Sequence, residues 1–213
     1  MSRLLPGVVA MAAVVVASNI LVQFLLGNWL TWGAFTYPIA FLVTDVMNRV
    51  YGAQAARRVV FVGFVVGVIC SLIGSQIMLQ GDGYEYAAVS LRVAIGSGVA
   101  FLTAQLLDVA VFDRLRNGRW WTAPLASTLV GSAVDTFLFF SIAFSASLAG
   151  FFSENINMEI NWAWEAVPFL GVGGVVPLWV SLAVADWLVK LSLALVALIP
   201  FRVLVTKLSP NPA

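Results

Sequence analysis

Apolar residues run along this chain in blocks of about twenty, separated by short polar stretches. An α-helix rises 1.5 Å per residue, so a block of about twenty matches the ~30 Å hydrocarbon core of a bilayer. The blocks predict six spans: Leu4 to about Leu26, Trp32 to Val50, Val59 to Met78, Val93 to Phe112, Pro124 to Leu148 and Val176 to Leu198. The last apolar stretch starts earlier, at Val167, but Gly171, Gly173, Gly174 and Pro177 interrupt it. A short non-helical or re-entrant piece is therefore expected before the sixth span. Residues 1–213 read as a single all-α transmembrane domain.

Charge placement supports that count. Arg3, Arg49, Arg57, Arg58, Arg114, Arg116, Arg119, Arg202 and Lys207 would lie at or beyond span ends on one side of the membrane. Asp82, Glu85, Glu154, Glu159 and Glu165 would occupy the other side, with Arg92 the one basic residue among them. Cytoplasmic loops carry the Lys and Arg excess, so both termini are expected in the cytoplasm, which requires an even number of spans. Trp120, Trp121, Trp162 and Trp164 fit interfacial belts at span ends.

Composition then removes whole classes of function. The chain has 213 residues, 62% hydrophobic and 10% charged, against about 25% charged in an ordinary soluble domain. That excludes a soluble enzyme, a disordered chain and a nucleic-acid binder with a basic face. Histidine is absent, which removes His-based acid–base catalysis, Ser-His-Asp triads and His metal ligation. The single cysteine, Cys70, sits in an apolar run and reads as packing. The sequence shows no phosphate-binding Gly-x-x-x-x-Gly-Lys-Ser/Thr loop. A non-enzymatic membrane protein is expected, with no cofactor and no metal. Its partners would be a small molecule and the lipid bilayer, with association into a homo-oligomer left open and no nucleic acid.

Polar residues inside the spans are then the informative ones, because ionisable groups in lipid are costly and mark function by default. Span one carries Ser18, Asn19 and Gln23; span two carries Thr44, Asp45, Asn48 and Tyr51; span four carries Gln105 and Asp108. Span five carries Thr128, Ser132, Asp135 and Thr136, and span six carries Ser181, Asp186 and Lys190. Thr44, Asn48 and Tyr51 share one helical face, as do Gln105 and Asp108. Asp45 and Asp108 would lie about one turn from the cytoplasmic helix ends, with Asp135, Asp186 and Lys190 nearer mid-membrane. Lipid cannot satisfy these groups, so they are expected to face inward around one cavity opening toward the cytoplasm. Span three, nearly free of such groups until Ser71 and Ser75, is expected to be the most lipid-exposed or a scaffolding helix. Asp186 precedes Lys190 by four residues, the favourable order for an intrahelical ion pair. It would either neutralise Lys190 alone or share it with Asp135 or Asp108. Carboxylates and amides among aromatic residues suit a flat ligand rich in N–H donors, such as a guanine-like base, or an amine cation. The plain alternative is a set of interhelical hydrogen bonds with no ligand.

Several of these stretches carry a resemblance. TYPIAFLVTDVMNRVYGAQAARRVV (Thr36 to Val60) resembles the signature of the queuosine-precursor transporter, or vitamin-uptake-transporter-like, family. AQLLDVAVFDRLR (Ala104 to Arg116), STLVGSAVDTFLFFSIAF (Ser127 to Phe144), and Asp186 and Lys190 followed by Pro200 resemble its later motifs, in order. One position departs: Arg49 stands where the family usually has Glu. The resemblance implies import of 7-deazaguanine bases, such as the cyano (preQ0) and aminomethyl (preQ1) forms, across the cytoplasmic membrane. The transport would be secondary, with a proton coupled through Asp135, Asp108 or Asp45. Thr44, Asp45, Asn48, Gln105, Asp108, Asp135 and Lys190 would line the site by position, and the polar pattern adds Asn19 and Ser132. The competing expectation is a substrate-binding subunit of a multi-component, ATP-driven vitamin importer.

Overall fold

The computed structural model describes residues 2–21, 24–26, 30–80 and 85–208; Gln23 and Asp82 lie outside them. Helices dominate: α1 (Leu5–Leu21), α2 (Gly33–Thr36), α3 (Pro38–Tyr51), α4 (Ala53–Gly74), α5 (Leu91–Leu115), α6 (Thr122–Phe144), α7 (Glu154–Met158) and α8 (Leu178–Leu208). Three short antiparallel hairpins join them: β1 (Leu25–Leu26) with β2 (Leu30–Thr31), β3 (Met78–Gln80) with β4 (Glu85–Ala87), and β5 (Ala166–Pro168) with β6 (Val175–Pro177). In the last, Val167 pairs with Val176, so the break expected before the final helix is a hairpin.

Four helices, α4, α5, α6 and α8, are long and apolar enough to cross a bilayer, and α1 is a shorter apolar helix. The second expected span is divided. Pro38 lacks an N–H and starts α3, while Tyr37 keeps helical dihedrals and links it to α2. Span three begins six residues earlier than the apolar pattern suggests, at Ala53, so Arg57 and Arg58 lie on the helix and not in a loop. One residue, Gly52, separates α3 from α4. Its φ of 87° lies in the left-handed region that favours glycine, so the chain turns there without a loop.

Lipid tails are as apolar as Leu, so the hydrophobic effect does little to bring such helices together. Close packing does more. The most extensive contact is between α5 and α6. A Cβ on Gly96 would come within 3.2 Å of Ala143 N and Phe139 O, so the two backbones meet there. Met11, Val59, Val60, Phe101 and Val109 form one buried apolar cluster between α1, α4 and α5. Of the two roles expected for span three, α4 fits the scaffolding one. It packs against α1, α3 and α5, while the span of α8, 17% buried, exposes more than that of α4, 22% buried.

Arg92, expected among the loop charges, is fully buried at the start of α5. Its guanidinium donates to Ile142 O (3.2 and 3.0 Å), Ser145 O (2.8 Å) and Asn157 Oδ1 (3.0 Å). It also stacks 4.8 Å from the Phe152 ring centroid. A cation here satisfies the free carbonyls at the end of α6 and fixes α7 beside them. At the other end of α5 two arginines act reciprocally. Arg49 donates to Arg116 O (2.5 Å) and Arg116 donates to Asn48 O (2.9 Å), so each caps the carbonyl end of the other's helix.

Candidate functional site

The facing sides of α3 and α5 are polar in the middle of an apolar bundle. Thr44 Oγ1 donates to Gln105 Oε1 (2.6 Å), and Asn48 Nδ2 donates to Val109 O (3.0 Å). From α6, Ser127 and Thr128 donate to the two carboxylate oxygens of Asp45 (3.1 and 3.2 Å). These bonds leave a remainder. Asn48 Oδ1, Gln105 Nε2 and both Asp108 carboxylate oxygens are buried with no hydrogen-bond partner among the described residues. Asp45 and Ser127 flank Asp108. Gly131 brings α6 over this group; a Cβ there would lie 3.3 Å from both Ala104 O and Asp108 Cβ. Buried polar atoms in proteins are nearly all bonded, and each one left alone costs about 1–3 kcal/mol. Four such atoms on adjoining helices make this group the candidate site. A narrow cleft between α3, α6 and α8 reaches Asp45 past Pro38, Phe41, Thr128, Leu193 and Phe201.

A second cluster joins α6, α8 and the α2–α3 junction. Lys190 Nζ donates to Asp135 Oδ2 (2.7 Å), Asp186 Oδ2 (2.5 Å) and Thr136 Oγ1 (3.1 Å). Thr136 in turn donates to Asp186 Oδ2 (2.9 Å), and Tyr37 OH donates to Asp135 Oδ1 (3.5 Å). The ammonium lies 5.6 Å from the Tyr37 ring centroid. All three ammonium donors are used. Asp186 and Asp135 thus share Lys190, the second of the two arrangements that the sequence left open.

The expected single cavity is in fact two clusters. Thr44, Asp45, Asn48, Gln105 and Asp108 come together in the first, and Asp135 and Lys190 in the second. Asp45 and Asp108 sit deeper than one turn from the helix ends. Six and seven residues follow them in α3 and α5, about 9–10 Å of helix. Ser132 is buried on α6 and bonds back to Leu129 O (3.2 Å). Asn19 joins neither cluster; its amide donates to Val15 O (2.9 Å) on its own helix. Tyr51, placed by spacing on the Thr44–Asn48 face, is exposed. Sequence reasoning missed Ser127 as an Asp45 donor and Tyr37 as an Asp135 donor. Tyr37 had a signal: it directly precedes Pro38, seven residues before Thr44 and so on the same face.

Apolar helices of membrane length enclosing buried carboxylates and half-bonded amides fit a multi-pass membrane transporter. A family model described as "Putative vitamin uptake transporter" matches residues 31–205, and the chain belongs to that family. It is a multi-pass protein of the cytoplasmic (inner) membrane. The chain is 34% identical over 197 residues to the "Queuosine precursor transporter" of Escherichia coli (strain K12), covering 88% of this chain and 79% of that protein. It is 35% identical over 177 residues to a "Probable queuosine precursor transporter" of Haemophilus influenzae, covering 80% and 66%. A "Probable queuosine precursor transporter" of Bacillus subtilis (strain 168) is 26% identical over 201 residues, covering 88% and 76%. No solved structure matches the chain.

Proposed function

We propose that the chain imports queuosine precursors, 7-deazaguanine bases of the preQ0 and preQ1 kind, as a secondary transporter. In this reading six spans cross the membrane, α2 and α3 together forming the second, and both termini lie in the cytoplasm. The observation that carries the substrate class is the unpaired set around Asp108. It holds three acceptor atoms, Asn48 Oδ1 and the two Asp108 oxygens, and one donor, Gln105 Nε2. A 7-deazaguanine has the complementary inventory: several N–H donors and one carbonyl oxygen. Asp108 would take the ring N–H and the amino N–H side by side, as carboxylates take paired donors. Gln105 would donate to the carbonyl, and Asn48 would take a further N–H. Thr44 holds Gln105 through its oxygen, which turns the amide N–H2 toward the ligand. Asp45, Ser132, Asp135 and Lys190 would complete the surroundings and carry coupling, with Asn19 further out.

The ATP-driven alternative has less support, since the relatives are named as transporters and not as components of one. The test is rescue of tRNA queuosine in a strain that neither makes nor imports the precursor, with each base supplied separately. Rescue is expected with the parent chain and is lost in Asp108→Asn at equal membrane abundance. No rescue by the parent with any deazaguanine would overturn the substrate class.

A further inference from the structure

A second cleft lies on the other side of Tyr37. Its base is α4 (Gly63, Gly67, Ser71), and its walls are α1 (Val15, Asn19) and α5 (Ser97, Gly98, Phe101), with Phe64 and Tyr37 closing it. These positions follow Gly63 toward the end of α4 and precede Gln105 on α5. If the termini are cytoplasmic, the cleft therefore sits in the outer half of the membrane.

Three observations make it a candidate binding position. First, its aromatic walls suit a flat ring: Tyr37 and Phe101 meet edge to face at 6.0 Å, and Phe64 stands beside them. Second, two of its hydroxyls are unengaged. Ser71 is 91% buried, and neither it nor Ser97 makes a side-chain hydrogen bond among the described residues. Third, two of its glycines are not required by packing. A Cβ at Gly67 or Gly98 would meet its nearest neighbour at 3.4 or 3.6 Å, ordinary contact, unlike the tight positions Gly96 and Gly131. Their missing side chains widen the cleft and leave the helix packing unaffected. The cleft also connects to the inner cluster along single helix faces. Ala94, Gly98, Phe101, Gln105 and Asp108 recur every three or four residues on α5, and Tyr37, Phe41, Thr44 and Asn48 do so on α3.

We propose that this cleft is an outer vestibule that binds the flat heteroaromatic base before it reaches the Asp108 cluster, with Tyr37 as the divider. Aromatic faces and Asn19, Ser71 and Ser97 would hold the base there without a carboxylate. Tyr37, tied to Asp135, separates this first position from the inner one. The proposal rests on the import reading for the identity of the base.

The test uses the full chain in cells, with Cys70→Ser to remove the native thiol and Ser97→Cys or, separately, Ser71→Cys to place one in the cleft. A membrane-impermeant methanethiosulfonate added outside should label the introduced thiol. With 7-cyano-7-deazaguanine at ten times its Kd, labelling should slow about tenfold by mass action. That protection should survive Asp108→Asn, which removes uptake. No labelling of either variant from outside, no protection, or loss of protection in Asp108→Asn would each overturn the vestibule. Protection without uptake by the parent chain would keep the vestibule and overturn the import reading. Uptake without protection would do the reverse. Gly98→Leu, which fills the cleft, should raise the KM for uptake at least about tenfold with membrane abundance unchanged; an unchanged KM would also overturn the proposal.

Discussion

Lys190 holds two carboxylates that no other cation reaches among the described residues. Removing one partner of a buried ionic group leaves uncompensated charge and costs about 3–5 kcal/mol. Lys190→Met should therefore lower the melting temperature of the solubilised protein sharply, and adding Asp135→Asn should recover part of the loss. A single variant as stable as the parent would show that the triad is not structural. Arg49 is the residue-scale puzzle, because it stands where the family resemblance leads one to expect Glu. Its guanidinium caps Arg116 O and lies 5.2 Å from the Phe112 ring, while Arg116 caps Asn48 O in return. A Glu at 49 would instead face the Arg116 side chain, so the opposite charge can serve the same junction. Arg49→Glu is expected to retain uptake, whereas Arg116→Ala, which removes the cap on Asn48 O and keeps the carbonyl that Arg49 caps, should lose about 1–2 kcal/mol of stability in thermal melts. Loss of uptake in Arg49→Glu with the protein still in the membrane would refute the interchange.

At the scale of elements, the α5–α6 pair is set by backbone approach. Because a Cβ at Gly96 would press on backbone atoms of α6, no side-chain rotation can relieve it. Gly96→Val should cost about 1–3 kcal/mol of overpacking strain and reduce folded protein in the membrane, read by the monodisperse fraction after solubilisation. Gly67→Ala, at ordinary contact distance, should fold like the parent. The two substitutions separate packing glycines from cleft glycines, a distinction that sequence alone does not make. What the sequence did make legible were the long apolar blocks, because bilayer thickness sets their length. The block edges were less legible. Ala53 to Arg58 has good helix formers, and arginine stems can lie along apolar surface, so α4 starts before its apolar run. The polar faces were visible by spacing, but a face does not name its partner. That Thr44 meets Gln105, or that Ser127 meets Asp45, depends on helix rotation and crossing, which Gly131 and its neighbours decide. Arg92 was misplaced for the same reason: its charge reads as a loop signal until the carbonyl end of α6 is brought to it.

For the whole molecule the sum of buried charge matters most. Asp45, Asp108 and Asp135 are buried and Asp186 is half-buried, and among the described residues Lys190 is the one cation ion-paired with any of them. Isolated charge in a low-dielectric interior costs several kcal/mol per ion even after relaxation, so the coupling we propose is that compensating positive charge reaches these acids during the cycle. A proton can supply it with any base, and a cationic aminomethyl base can supply it without one. These routes separate in proteoliposomes holding the purified chain alone. With the neutral cyano base, an acidic exterior should speed uptake and a protonophore should slow it several-fold; with the aminomethyl base the dependence should be weaker. If both bases enter at rates indifferent to the proton gradient, the coupling proposal fails while import stands. Uptake that appears only when an ATP-hydrolysing partner is added would instead make the chain the binding component of a larger importer. In that case the Asp108 cluster would serve recognition, and the Lys190 triad would be left with the structural role that Lys190→Met measures.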